Sequence, residues 1–322
     1  MDVFLTSPWI PREWIRAHGL QPRGLWSAAD FQSRAWPLSA GVCPFAEATL
    51  RWAESRPDSA VIFSTACDQS RRGFDAAISR GQRRSFLFNL PATWQTAAAA
   101  ELFRSEMERL GQFLLAIGGR APPPETLRRE MLLSNETRKR LLDSAAASSP
   151  RGFAEAVARF HWDGSFSPPP PAPPAGQIPL ALVGGPFLAP HWKWLDAIEA
   201  AGGRAALNAT EMGERSLPPA FEVETAASRP FDALVRGCRD NIVDVFQRPN
   251  TPLYSWLKPR LASRQARGIV LWHFTACDLW RAEAETLRET FHLPVLPLQA
   301  GQEPGAAPRD LNRLQAFVET LR

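Results

Sequence analysis

No apolar run in this 322-residue chain approaches the ~20 residues a helix needs to cross a bilayer, which excludes a membrane-spanning helix. The opening MDVFLTSPWIPREW lacks the basic start and long apolar stretch of a secretory signal, so a cytoplasmic location is expected. Charge of one sign is scarce. The formal net charge is +4, and the densest basic run (Arg128, Arg129, Arg138, Lys139, Arg140) is broken by Glu130 and Glu136. A nucleic-acid footprint would gather basic residues on one face beside aromatic or glycine-rich motifs, so neither nucleic acid nor membrane is an expected partner. Tyrosine occurs once against twelve tryptophans, which are spread along the chain and serve core packing and interface burial. There is no P-loop, no G-x-S-x-G elbow and no H-E-x-x-H pair, and the GGP at 184–186 lacks G-x-G-x-x-G spacing.

Cysteine is also sparse: Cys43, Cys67, Cys238 and Cys277. A reducing compartment argues against disulfides, and the absence of any C-x-x-C or C-x₂₋₄-C excludes the compact zinc patterns. A metal held by these thiols must be gathered from distant parts of the fold.

What is present is a repeat. Thr-Ala-Cys-Asp occurs at 65–68 and again at 275–278, after the apolar runs AVIFS and GIVLWHF. Each copy reads as a buried strand ending in a cysteine at a helix start. Strand and helix signals alternate around both copies, the pattern of parallel sheets with right-handed crossovers. In the first half, strands are expected at 3–5, 60–64 and 85–90, and helices at 11–18, 43–55, after Cys67, and at 96–117. Helical stretches at 125–147 and 152–160 precede the run SPPPPAPPAGQIP at 167–179, which is incompatible with helix or central strand and reads as a linker. Beyond it, strands are expected at 180–183, 205–208, 269–274 and 295–298, with helices at 192–201, 231–236, 253–266, 283–291 and 309–321. The division is an α/β domain at 1–150 with a helical extension, a helical and proline-rich linker at 151–178, and a second α/β domain at 179–322.

In open parallel sheets, ligands sit outside the carboxyl ends of the strands, where Cys67 and Cys277 stand. Each is also at a helix start, where backbone N–H groups and the helix dipole favour a thiolate, the form that binds soft metals and iron–sulfur clusters. Cys43 begins a helix in a third such setting. A single cysteine so placed reads as core filler. Repetition at the functional end of both sheets favours ligation for Cys67 and Cys277, while Cys238, inside the helical RGCRDN segment, keeps the structural reading. His273, four residues before Cys277, either lines the cleft or is a satisfied core histidine. Asp68 and Asp278 read as caps, and Gly213 and Arg215 in EMGERS as a loop where an anionic ligand could be met.

Together WIPREWIRAHGLQPRGLW, GVCPFAEATLRWA, VIFSTACDQSRR, PLALVGGPF with EMGERS, and IVLWHFTACDLWRAEAETLRETFHLPVLPL with DLNRLQAFVETL resemble the 2-hydroxyacyl-CoA dehydratase family, which includes the benzoyl-CoA reductase subunits. The resemblance implies two flavodoxin-like (Rossmann-like) domains with a [4Fe-4S] cluster in the cleft between them, held by Cys43, Cys67 and Cys277 with one iron lacking a protein ligand. It implies an ATP-hydrolysing iron–sulfur activator that delivers a low-potential electron, an acyl-CoA substrate converted through a ketyl radical anion, and a heterodimer with a second related subunit. The chain is shorter than the family's usual length. It offers Gln299 and Glu303 where an acidic pair is expected, and only Arg309 and Arg313 for the arginines of the last helix. These departures weigh against independent turnover more than against the cluster, leaving a scaffold or electron-relay partner subunit as the alternative. Four cysteines argue against a double-cubane cluster. A metal-free binding protein that keeps only the fold is the remaining possibility.

Overall fold

The computed structural model describes residues 1–28, 31, 41–172, 176–300 and 307–322. Strands β1 (Asp2–Leu5), β2 (Gln21–Gly24), β3 (Ala60–Ser64) and β4 (Ser85–Phe88) form one all-parallel sheet in the order β2-β1-β3-β4. Strands β5 (Ile178–Gly184), β6 (Gly203–Thr210), β7 (Gly268–Phe274) and β8 (Val295–Ala300) form a second in the order β6-β5-β7-β8. Counted within each half, both orders are 2-1-3-4, so the chain folds as two flavodoxin-like domains. The reason is legible in β3 and β7, whose every residue is buried. Such strands need helices on both faces.

The first half supplies α1 (Arg12–Ala17), α2 (Pro44–Glu54), α3 (Asp68–Ser79), α4 (Ala97–Ala116), α5 (Pro124–Ser144) and α6 (Pro150–Asp163). The second supplies α7 (Lys193–Ala200), α8 (Val223–Ser228), α9 (Pro230–Asp240), α10 (Thr251–Ser263), α11 (Asp278–Phe291) and α12 (Pro308–Thr320). Their ends follow local chemistry. The Thr96 hydroxyl caps α4 by accepting from the Ala99 N–H, and Ser149 does the same for α6 from Gly152. Helix α6 stops at Gly164, whose φ of +82° suits glycine. Among the described residues no helix is long and apolar enough to cross a membrane.

Three elements depart from expectation. Edge strand β2 and short helix α8 lie in stretches read as irregular. The proline-rich segment does enter a central strand at its end: Pro179 sits in β5, between β6 and β7. It is tolerated because the side of Pro179 that lacks an N–H faces β7 before β7 begins. Its carbonyl there accepts from the Arg267 N–H at 2.8 Å, ahead of the first paired residue Gly268.

A single apolar core runs through both halves, joining Val3, Ile62 and Leu110 to Leu182, Trp272 and Leu314. Polar contacts cross the same boundary. Asn135 donates to the Phe221 carbonyl and accepts from the Phe221 N–H, and Arg104 pairs with Asp232 at 2.7 Å. The Arg248 N–H donates to the Ala92 carbonyl, and the Trp94 indole to that of Pro249. Helix α1 is pinned to α5 by a buried pair, Glu13 with Arg138 at 3.1 Å, to which Ser134 adds its hydroxyl.

Candidate functional site

Both sheets point their carboxyl ends at one cleft. It is lined from the first half by Thr6 and Ser7 after β1, Cys43 and Phe45 at the start of α2, and Cys67 and Gln69 after β3. The second half adds Pro186 after β5, Glu211 after β6, Asp244, and Cys277 with Trp280 after β7. The three cysteines singled out in the sequence thus share one cavity, two from one domain and one from the other. About 80 Å³ of it is open to the centres of water-sized spheres. One water needs about 10–15 Å³ on that measure, so the space suits a group several waters in size. Among the described residues that line it there is no lysine, arginine or histidine.

Each of these cysteines is the N-cap of its helix: Cys43 of α2, Cys67 of α3, Cys277 of α11. Pro44 follows Cys43 at the first helical position, where its missing N–H costs nothing. The Cys67 sulfur accepts from the Ser70 N–H at 3.4 Å, so the thiol itself does the capping. Asp68 and Asp278, expected as caps, are instead the first residues inside their helices, paired with Arg71 and Arg281. Gln69 ties the two cysteine helices of the first half together, accepting from the Cys43 N–H at 3.3 Å. The two Thr-Ala-Cys-Asp copies differ in backbone. Ala276 has φ +63°, in the left-handed region, whereas Ala66 is not among the positive-φ residues.

The expected thiolate stabilisation is overturned by burial. Burial pushes the Cys67 and Cys277 thiols up to about 12 and raises Cys43 as well. The helix-start N–H groups of Ser70, Trp280 and Ala46 pull the other way but lose. By charge Cys43 raises Cys67, Cys43 and Cys67 both raise Cys277, and Glu211 raises all three thiols. Burial, then the charge of Asp244, raises the Glu211 carboxyl to about 8, with Arg215 pulling it back. Without a cation the site is therefore a set of neutral donors, and a cation entering it must displace protons.

Arg215 is not a loop residue awaiting an anion. Its side chain is wholly buried, and all three nitrogens donate: Nε to the Ala209 carbonyl (2.8 Å), Nη1 to Val243 (2.7 Å) and to Asp244 Oδ2 (2.8 Å), Nη2 to Gly184 (2.7 Å). The guanidinium lies 4.6 Å from the Trp280 ring, three residues beyond Cys277. Gly184 and Gly213 make this packing possible. A Cβ on Gly184, at φ +151°, would fall 1.9 Å from the Trp272 carbonyl oxygen, and one on Gly213 would fall 2.3 Å from that of Asn208. The Glu211 N–H is held by the Gly184 and Gly185 carbonyls at 3.0 and 3.2 Å. With Asp244 committed to Arg215, Glu211 is the acid left over: among the described residues its carboxylate has no hydrogen bond or ion pair. The sequence reading passed over it, because nothing local distinguishes it from any charged residue after a strand.

The remaining candidates lie elsewhere. His273 is buried in β7 with Nδ1 at 3.2 Å from the Phe274 carbonyl oxygen, and it is not among the cleft-lining residues. Cys238 lines a separate small cavity with Arg12, Arg138 and His161, and burial raises its thiol well above the usual range. Gln299 donates to Thr275, and Arg313 is tied to Asp310 and the Pro297 carbonyl. Glu303 falls outside the described residues.

Comparison with curated proteins gives no match. The family model of the 2-hydroxyglutaryl-CoA dehydratase D-component matches residues 9–162 and 166–321, one segment in each half and together nearly the whole chain. A duplicated flavodoxin-like fold whose two cysteine turns meet in one cleft thus belongs to the family of the 2-hydroxyglutaryl-CoA dehydratase D-component.

Proposed function

We propose that this 2-hydroxyacyl-CoA dehydratase-like component is an iron–sulfur subunit, with Cys43, Cys67 and Cys277 holding one [4Fe-4S] cluster in the interdomain cleft. The observation that carries the reading is the convergence of three N-cap thiols, drawn from both halves, on one cavity that no basic side chain lines among the described residues. The donor set fits such a group: thiolates bind iron–sulfur clusters, and each cubane thiolate takes a different iron. The thiols therefore need not meet at a point. This agrees with the finding that, among the described residues, no three Cys, His, Asp or Glu side chains are grouped to hold a single ion.

When bound, the cluster would supply a low-potential electron to the carbonyl of a CoA thioester, giving a ketyl radical anion that expels a hydroxyl group or, in a reductase, leads to ring reduction. The protein's own part is to shape and dry the cleft. Phe45, Phe63, Phe274, Leu279 and Trp280 wall it with apolar surface, Gln69 joins the turns that carry Cys43 and Cys67, and Arg215 packs against Trp280 three residues beyond Cys277. The same reading calls for a second related subunit, an ATP-dependent iron–sulfur activator and an acyl-CoA substrate. It is supported by the family's being that of one dehydratase component. A non-catalytic scaffold or electron-relay subunit is a second reading, favoured by Gln299, which donates to Thr275 where the resemblance leads one to expect an acidic residue.

The test is iron and acid-labile sulfide on protein purified without oxygen, with electron paramagnetic resonance of the reduced sample. About four of each per chain is expected, lost in Cys43→Ala, Cys67→Ala and Cys277→Ala and kept in Cys238→Ala. A folded protein that stays free of iron after reconstitution would overturn the reading.

A further inference from the structure

We infer that a second, smaller cavity, walled by α1, α5, α6 and α9, is a binding site for a small carboxylate of one or two carbons. It shares no lining residue with the cysteine cleft, and the inference does not depend on the cluster reading. Trp9, Arg12, Glu13, Arg138 and His161 line it from the first half. Three of these side chains keep a buried N–H without a hydrogen-bond partner among the described residues: Trp9 Nε1, Arg12 Nη2 and Arg138 Nε. All three are donors, and all three residues are more than nine-tenths buried.

The charges do not balance either. Arg138 gives Nη1 to Glu13 at 3.1 Å and Nη2 to Asn135 at 2.8 Å, while Glu13 also accepts from Ser134. Arg12 has no carboxylate partner among the described residues. Its Nη1 lies 3.5 Å from His161 Nδ1, and its guanidinium 4.5 Å from the Phe160 ring. With Nδ1 accepting, His161 carries its proton on Nε2, 2.8 Å from the Ser216 hydroxyl, which donates to the Gly213 carbonyl. Burial keeps His161 neutral and Cys238 a thiol, and lowers Arg12 only to about 10. At neutral pH the cavity therefore faces two cations and one anion. Beyond it, Arg16 and Asp163 act on Arg12 in opposite senses.

A buried guanidinium without a counter-charge is costly. One monoanion would balance the charge and take up the spare donors together. Guanidinium groups match a flat, two-oxygen acceptor, which a carboxylate supplies and a halide does not. About 40 Å³ of the cavity is open to the centres of water-sized spheres, room for about three waters at 10–15 Å³ each. Formate or acetate suits that space, and a nucleotide's phosphate chain exceeds it. Binding is non-covalent and moves no electron.

The test is equilibrium dialysis of radiolabelled formate against the full chain, in zwitterionic buffer with sulfate as the inorganic anion. A single saturable site is expected, emptied by acetate and left filled by equimolar chloride. Trp9→Phe keeps an aromatic ring but removes one spare donor, and should weaken uptake about tenfold or more. Arg12→Met should abolish it, with circular dichroism confirming the fold; should that variant not fold, Trp9→Phe decides alone. Cys67→Ala should bind formate like the parent, which separates this cavity from any metal in the cleft. A parent that takes up no formate overturns the inference. So does uptake that survives Trp9→Phe and Arg12→Met unchanged, that is lost in Cys67→Ala, or that chloride displaces as readily as acetate.

Discussion

Arg215 and Ala276 show how much of this site is decided one residue at a time. The guanidinium of Arg215 satisfies three carbonyls and one carboxylate from every nitrogen it has, and each partner is buried or lies at the cleft floor. Arg215→Met would leave Asp244 charged and unpaired, which costs about 3–5 kcal/mol. Urea denaturation should show a lower midpoint with an unchanged slope. Arg215→Lys should recover little, since one ammonium cannot reach four acceptors spread over three segments. Ala276 gives a subtler test. Its left-handed backbone disfavours a Cβ, so Ala276→Gly should stabilise the metal-free protein by about 0.5–1 kcal/mol. Ala66→Gly, the same change in the other copy of the same tetrapeptide, should destabilise by a similar amount, because there only the entropic cost of glycine applies. Equal signs in thermal melts of the two variants would show that the copies share one backbone conformation.

At the scale of elements, the buried strands β3 and β7 and the long helices were legible because uninterrupted apolar runs and clean apolar periodicity leave few alternatives. Cysteine placement was legible for the same reason: a cysteine that ends an apolar strand before a helical run can hardly be anywhere but an N-cap. Strand β2 was not, since its sequence QPRG carries no branched apolar residue and forms an edge only because β1 is there to pair with. Pro179 misled for a related reason. A proline rule applied to sequence cannot know on which side the neighbouring strand has yet to begin. Arg215 and Glu211 exchanged the roles their types suggest, because the acid that neutralises Arg215 comes from residue 244, far along the chain. The capping role of Cys67 also yields a prediction. In metal-free protein, Cys67→Ser should preserve the cap on α3, whereas Cys67→Ala should cost about 0.5–1 kcal/mol.

The molecule as a whole folds around histidines that stay neutral. His191 is buried in an aromatic box of Phe187, Trp272 and Phe274, its Nδ1 without a partner, and burial lowers its pKa to about 4. His161, held between Arg12 and Ser216, is lowered further by burial and by the two nearby arginines. The unfolded chain takes up protons on these rings from about pH 6.5 downward while the folded chain does not. Their contribution is thus complete above that pH and is lost as pH falls toward 4. His191→Phe should remove one share of this loss. Its stability advantage over the parent should grow by about 2 kcal/mol between pH 7.5 and pH 5, read from paired denaturation curves. An advantage that stays constant with pH would mean the ring titrates normally in the fold.

The apolar core that runs unbroken from one sheet to the other has a further consequence. The halves are joined covalently through the proline-rich run, whose described residues 167–172, 176 and 177 supply nothing to that core, so this part of the link contributes proximity and little else. A chain opened at Gly176 should therefore remain a single particle, its two pieces eluting together and separating only on denaturation. Each piece made alone would expose the apolar surface its sibling covers, and should be recovered in solution only when both are made in the same cell.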